Sequence, residues 1–268
     1  MKEKLFVLKR YIASIIRAAF YFRNFSTYLS ALYKKGEGEV ILKTRDGLKI
    51  IIRRNIWDAR VVAETFLMRA YIKNFRSGEH PIIVDVGGYI GDFSLYAAKY
   101  LDARVIVYEP IIENFFILEK NIKINDFSKV IESVCKGVGG GEHENLNISK
   151  NGQEIHASSY FYSGGESRKI LVVTLEDIFR VHQLEKIDLL KVDVEGGEYD
   201  IFEKAPEWVF GRIRHIVFEY HKCGETYLER LAKIICRLEK FNFKVKRVGS
   251  IVYAHRCSLN KEKYRDEN

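Results

Sequence analysis

Hydrophobic and polar positions alternate along this chain with two periods. From Leu5 to Tyr33 apolar residues recur on a heptad-like stripe, Leu5, Leu8, Ile12, Ile15, Ala19, Phe22, Leu29 and Tyr33, with Lys9, Arg10, Arg17 and Asn24 opposite, which predicts one amphipathic helix. Glu39 to Thr44 and Leu48 to Arg54 switch to a period of two around Asp46-Gly47, the pattern of a β-hairpin. Asp58 to Lys73 returns to helical spacing, with Val61, Val62, Thr65, Phe66, Met68 and Tyr71 on the side to be buried. Residues 36–78 thus read as a hairpin and helix that cap the core of the chain.

Beyond Pro81 the apolar runs become continuous. Those ending at Val86, Arg104 to Tyr108, Val130 to Val134, Ile187 to Val192 and Arg212 to Phe218 read as buried strands; Asp92 to Leu101, Ile111 to Asn125, a capped start at Thr174-Leu175-Glu176-Asp177 and Glu225 to Lys240 read as helices. Strands alternating with helices over short connections predict an α/β fold with a doubly wound, mostly parallel sheet. Phe243 to Arg247 and Ile251 to His255, joined by Gly249-Ser250, add an antiparallel C-terminal hairpin over a core of residues 79–258. The rhythm breaks at 136–168, where seven glycines accompany strand-like pieces at Asn145 to Ser149 and Ser158 to Tyr162. This insertion is either a lid over a pocket or a plain surface hairpin. Residues 259–268 form a charged tail.

Charge changes the picture at one end only. Of a net charge of +8, residues 1–35 hold eight Lys/Arg against Glu3, which leaves +1 for the rest and argues against a nucleic-acid-binding core. Arg10, Arg17 and Arg23 interrupt every apolar run short of the roughly 18 residues a membrane span needs, and no small-residue cleavage motif follows. The basic arm therefore docks on its own domain, meets a second subunit or lies on an anionic membrane surface. Cys135, Cys223, Cys236 and Cys257 lack metal-site spacing and read as free thiols of a reducing cytoplasm, so a cytoplasmic protein is expected, peripheral to the membrane if the arm binds lipid.

The candidate chemistry lies at strand ends, because ligands of such sheets bind beyond the carboxyl ends of the strands. Pro81 to Ser94 reads P-I-I-V-D-V-G-G-Y-I-G-D-F-S, a strand, a tight glycine turn and a helix N-terminus. Asp85, Gly87, Glu109, Asp193, Glu195, Glu219 and His221 end the successive strands. Glu109 sits where a carboxylate accepts both hydroxyls of a ribose. A dinucleotide fingerprint would need glycine at Tyr89 and Asp92, which disfavours an NAD-dependent oxidoreductase; S-adenosylmethionine has no pyrophosphate and is satisfied by Asp85, Gly87 and Gly91.

V-D-V-G-G-Y-I-G-D-F-S, Y-E-P followed by Asn114, T-L-E-D-I-F, I-D-L-L-K-V-D-V-E-G-G-E-Y-D-I-F and F-E-Y-H, in that order from about Thr44 to His221, resemble the FkbM family of methyltransferases. The resemblance implies a Rossmann-like class I methyltransferase fold, S-adenosylmethionine as donor, and O-methylation of a glycan, sugar-containing lipid or secondary metabolite. It marks Asp85, Gly87, Gly88, Tyr89, Gly91, Glu109, Pro110, Asn114 and Asp193 as donor-binding. Two departures stand out: Gly88-Tyr89 replaces the family's usual Ala-Asn, and Cys135-Lys136-Gly137 ends the third strand without an acid. A base is needed to take the acceptor's proton, and Asp193, His221 and Glu195 are the catalytic candidates. Asp193, Glu195 and Glu219 can alternatively hold a divalent cation, while Glu195 and Glu198 also suit a plain helix N-terminus. The competing reading of another class is a non-catalytic membrane-associated module with a relict donor site.

Overall fold

The computed structural model describes residues 15–33, 36–54, 56–73, 75–76, 78–141, 143–151, 154–158 and 166–257. Within them the first expected helix is two, α1 over 15–21 and α2 over Phe25–Tyr33. The break has a local cause. Phe22 leaves the helix to bridge Thr44, and the Asn24 side chain pairs along the hairpin, donating to Ile41 O at 2.7 Å and accepting from Lys43 N at 2.8 Å. A side-chain amide that imitates a peptide group competes with the helical ladder. Ala18, Phe22, Tyr28 and Ala31 are buried, and Arg17 donates to Leu67 O, so the described part of the arm packs on its own domain. Of the arm 1–35, for which a membrane or subunit contact is the alternative expectation, residues 1–14 and 34–35 lie outside the described residues. No helix among the described residues is long and apolar enough to cross a membrane.

The hairpin forms as its alternation predicts, β1 (Glu39–Lys43) antiparallel to β2 (Lys49–Arg53) with Leu42 opposite Ile50. The single helix expected over Asp58 to Lys73 is instead three pieces: α3 (Ile56–Val62), a π-turn at Ala63–Leu67 and a 3₁₀ turn at Ala70–Ile72, with Arg69 left-handed between the last two (φ 51°). The π-turn, closed by Met68 N donating to Ala63 O, inserts an extra residue and rotates the chain beyond it. That rotation matters for the site: beyond the turn the Tyr71 hydroxyl donates to Asp193 at 2.9 Å, while Thr65 within it donates to Asp92.

The core continues in order as β3 (Ile82–Val86), α4 (Asp92–Tyr100), β4 (Arg104–Tyr108), α5 (Ile112–Ile124) and β5 (Ile131–Val134). A small sheet of β6 (Gly137–Val138), β7 (His143–Asn151), β8 (Glu154–Ser158) and β9 (Glu166–Val173) then intervenes, in the order β6-β9-β7-β8. Its edge strand β8 ends at Ser158, where the sequence pattern starts a strand; 159–165 lie outside the described residues, as do the side chains of 143–169 on which the expected lid depends. After α6 (Leu175–Val181), opened by the Thr174–Asp177 capping box, come β10 (Ile187–Val192), α7 (Glu198–Lys204), α8 (Glu207–Gly211), β11 (Ile213–Glu219), α9 (Tyr227–Lys240), β12 (Phe243–Val248) and β13 (Ile251–Arg256). The apolar periodicity does not register α7 and α8, which have only 7 and 5 residues.

The large sheet runs β5-β4-β3-β10-β11-β13-β12, parallel through β11, with β13 antiparallel to it and β12 antiparallel to β13. This is an α/β, doubly wound, mostly parallel sheet with an antiparallel C-terminal hairpin. Alternate strand residues feed two cores. Ile83, Val105, Val107, Leu189 and Val217 meet α4, α5 and the capping segment, while Val84, Val86, Ile106, Leu190 and Val192 meet α6, α7 and α9. The chain winds outward from β3 to β5, then from β10 to β11 on the other side. The strand order therefore reverses between β3 and β10, and a crevice opens there.

Candidate active site

At the switch point Asp193 N donates to Val86 O at 2.9 Å, which ties the end of β10 to the glycine turn. Gly87 has φ +82°, and a Cβ there would fall 1.8 Å from Asp193 O. Gly88 is barred differently, its Cβ position lying 2.1 Å from Val107 Cγ2. Behind the turn the buried Asp85 takes Ser94 Oγ at 2.7 Å and Lys191 Nζ at 3.0 Å, and the same ammonium donates to Gly87 O at 2.7 Å. Burial alone would lower the lysine's pKa, but Asp85, Asp193 and Asp92 raise it, so it stays a cation. Asp85 thus sets the turn from one layer back.

The turn opens on a cavity of about 310 Å³, a size suited to a small-molecule ligand. At its β4 end Glu109 is 4 % exposed. Its Oε2 accepts Tyr89 N at 2.8 Å and its Oε1 accepts Ile111 N at 2.9 Å and, more weakly, Asn114 Nδ2 at 3.5 Å, so Oε2 keeps a full second acceptor site and Oε1 one that Asn114 holds only loosely. Burial pushes its carboxyl up to about 7, against the pull of those amides. Tyr89, left-handed at φ 49°, sends its hydroxyl to Asp58 Oδ1 at 2.7 Å; Asp58 pairs with Arg53 at 3.0 Å, and Arg53 donates to Asn114 Oδ1 at 2.9 Å. The phenol that replaces the usual asparagine therefore belongs to a network that pins the capping segment to this end. Tyr108, Ile111, Val138 and Val172 supply apolar wall.

At the β10 and β11 end the character changes. Asp193 Oδ2 accepts Tyr71 OH at 2.9 Å. Its Oδ1 lies 3.9 Å from His221 Nε2, Glu195 Oε2 lies 3.4 Å from the same nitrogen, and Glu198 Oε1 lies 3.4 Å from His221 Nδ1. The fully buried Glu198 is itself fixed by Gly196 N at 2.8 Å and His221 N at 2.7 Å. Burial would lower the His221 pKa, but the hydrogen bond to Glu198 and the charges of Asp193, Glu198 and Glu195 raise it to about 9. Glu64, which lines the cavity but is exposed, has its carboxyl pushed up to about 7 by partial desolvation and then by Glu219 and Asp193. Glu195, a second left-handed non-glycine at the site (φ 49°), and Glu219 are raised by burial as well.

Of the residues expected to hold a donor, Gly87, Tyr89, Glu109, Pro110, Asn114 and Asp193 line the cavity, whereas Asp85, Gly88 and Gly91 stand behind it and shape the turn. The catalytic and metal candidates Asp193, Glu195, Glu219 and His221 all line it. Sequence reasoning missed Trp57, Arg60, Glu64 and the Tyr71 hydroxyl, contributed by the capping segment. The one available signal was Glu64, a lone acid within the buried stretch Val62 to Leu67.

Residues 85–245 match the methyltransferase FkbM domain. Methyltransferase sdnD of Sordaria araneosa is 27% identical over 173 residues, which cover 52% of this chain and 66% of the relative. Methyltransferase 1 of Beauveria bassiana (strain ARSEF 2860) is 27% identical over 158 residues, covering 51% and 63%. The match thus spans just under two thirds of the length of these curated relatives. Among solved structures, methyltransferase FkbM from Methylobacillus flagellatus KT aligns with a TM-score of 0.48 at 18% identity, over 72% of this chain and 47% of that one.

Proposed function

Because the chain belongs to the family of FkbM methyltransferase domains, we propose that it transfers a methyl group from S-adenosylmethionine to a hydroxyl oxygen of a small-molecule or glycan acceptor. Sugar-containing lipids and secondary metabolites fall within that class. Family membership displaces the nicotinamide reading. The observation that carries the proposal is the cavity at the switch point, with the buried Glu109 at one end and the Asp193–His221 group at the other.

The donor group, when bound, supplies a methyl on a sulfonium, open to in-line attack. The chain's own residues do the rest. Glu109 presents its remaining acceptor sites to a vicinal diol, and the wall of Tyr108, Ile111, Val138 and Val172 suits a flat base. Positioning of the two reactants supplies much of the acceleration. Asp193 accepts the acceptor's hydroxyl hydrogen bond and takes its proton as the oxygen–carbon bond forms, with Tyr71 fixing the carboxylate from its other oxygen. His221 is a cation below pH about 9, so at neutral pH it neutralises carboxylates rather than acting as base. Glu195 is one of those carboxylates, 3.4 Å from His221 Nε2.

Isothermal titration of the intact chain with S-adenosylhomocysteine tests this directly, and absence of binding overturns it. Binding without transfer to any hydroxyl acceptor, read with a tritiated donor, would favour the non-catalytic module instead.

A further inference from the structure

The β10 and β11 end carries more than a base requires. Asp193, Glu219 and His221 each place one ligand atom within 4.8 Å of the other two. All three are also held from behind. Asp193 Oδ2 takes the Tyr71 hydroxyl at 2.9 Å, Glu219 Oε1 takes Ser250 Oγ at 2.6 Å, and His221 Nδ1 lies 3.4 Å from Glu198, itself fixed by two backbone amides. Each group therefore has one atom engaged outside the cluster and a second directed to a shared space, the arrangement in which outer hydrogen bonds orient the ligands of a metal. Like charges left to themselves would turn apart.

The chemistry and spacing suit a hard divalent cation. Bonds of about 2.1–2.3 Å set ligands of one cation roughly 3–4.5 Å apart, and Asp193 Oδ1 lies 3.9 Å from His221 Nε2. Two carboxylates and one imidazole favour Mn²⁺ or Mg²⁺ over thiolate-seeking metals. We propose that Asp193, Glu219 and His221 bind one divalent cation at the acceptor end of the cavity, the metal displacing the imidazolium proton from Nε2, with Glu195 beside it as an additional oxygen ligand. The consequence for catalysis rests on the methyl-transfer reading. A cation there polarises the acceptor hydroxyl and lowers its pKa. Asp193 then serves as ligand, and the hydroxyl proton is released to water as the oxygen–carbon bond forms and the sulfonium–carbon bond breaks.

Titration of the full chain with Mn²⁺, followed by electron paramagnetic resonance and competed with Mg²⁺, tests the site without any turnover. The expected result is one saturable Mn²⁺ per chain. Glu219→Gln should weaken it about 100-fold and Ser250→Ala, which removes only the outer tether, about tenfold. Both variants should keep the affinity for S-adenosylhomocysteine within about twofold, which also reports that they are folded. A chain that binds S-adenosylhomocysteine but not Mn²⁺, or a Glu219→Gln variant with unchanged Mn²⁺ affinity, overturns the site. Mn²⁺ binding without S-adenosylhomocysteine binding would keep the site and remove the methyl-transfer reading.

Discussion

The two ends of the cavity are built on opposite plans. At the β4 end the one carboxylate, Glu109, is met by the amides of Tyr89 and Ile111, groups twenty and two positions away in the chain. At the β10 and β11 end Asp193, Glu195, Glu198 and Glu219 gather round His221, with Glu64 facing Asp193 and Glu219, and the Tyr71 hydroxyl reaches Asp193 across 122 positions. At the first end the cavity carboxylate is satisfied by nearby backbone, and the Asp58–Arg53 network ties the turn to the capping segment behind it. The second is an assembly of like charges that holds only because distant elements converge, and it invites a cation. A donor common to many enzymes suits the first plan; an acceptor peculiar to one enzyme suits the second.

The strongest way to break the contrast is at the seam. Gly87→Ala puts a methyl 1.8 Å from Asp193 O on a backbone at φ +82°, so β3 and β10 must separate at their ends. The expected loss is about 3 kcal/mol or more, a fall of roughly 6–12 °C in Tm for a domain this size. A melting curve indistinguishable from that of the unaltered chain would show that the two ends are not joined through this residue. Glu109→Ala comes next. It orphans two buried amides and removes the diol acceptor, and charge-assisted hydrogen bonds contribute about 1.5–3 kcal/mol each. S-adenosylhomocysteine affinity should fall about 100-fold by titration calorimetry, whereas a fall under threefold would detach Glu109 from the donor.

The same contrast explains what could be read from the sequence. The β4 end was legible because its residues succeed one another along a strand, a turn and a helix start: D-V-G-G-Y-I-G fixes the turn, and Glu109 ends the apolar run V-I-V-Y. The strand order and the antiparallel hairpin were legible for the same reason, as apolar runs and turn residues are local signals. The capping segment was not. Its π-turn at Ala63–Leu67 and left-handed Arg69 leave no mark on a helical pattern, yet they rotate Tyr71 onto Asp193. Asp85 shows a related limit: its type and position suit a ligand contact, and its pairing with Lys191 behind the turn is visible only in three dimensions.

A smaller effect sharpens the comparison from the other side. Tyr71→Phe removes one hydrogen bond to Asp193 and nothing from the β4 end. Turnover should fall about tenfold, in line with the roughly 1.5 kcal/mol of a bond to a charged group, while S-adenosylhomocysteine affinity moves less than about twofold. Equal losses in both would mean that the two ends act as one unit.

The two ends should also lose stability in different pH windows when a chelator is present. Burial raises the Glu109 carboxyl from 4.5 to about 7, so the folded state holds the proton more tightly than the unfolded chain. Its contribution is complete below pH 4.5 and disappears as the pH climbs through about 7; Glu64 and Asp92, also raised to about 7 by burial, act in the same window. His221 is raised from 6.5 to about 9, burial being outweighed by Glu198 and the neighbouring carboxylates, so its contribution is complete below pH 6.5 and fades as the pH rises through about 9. Urea midpoints measured from acid to alkaline pH should therefore fall in two steps. Glu109→Gln should shrink the lower step, which Glu64 and Asp92 share, and leave the upper one, whereas His221→Gln should flatten the upper alone. An upper step that survives His221→Gln would show that the carboxylates around that imidazole are balanced by something else, and that this end is not organised around it.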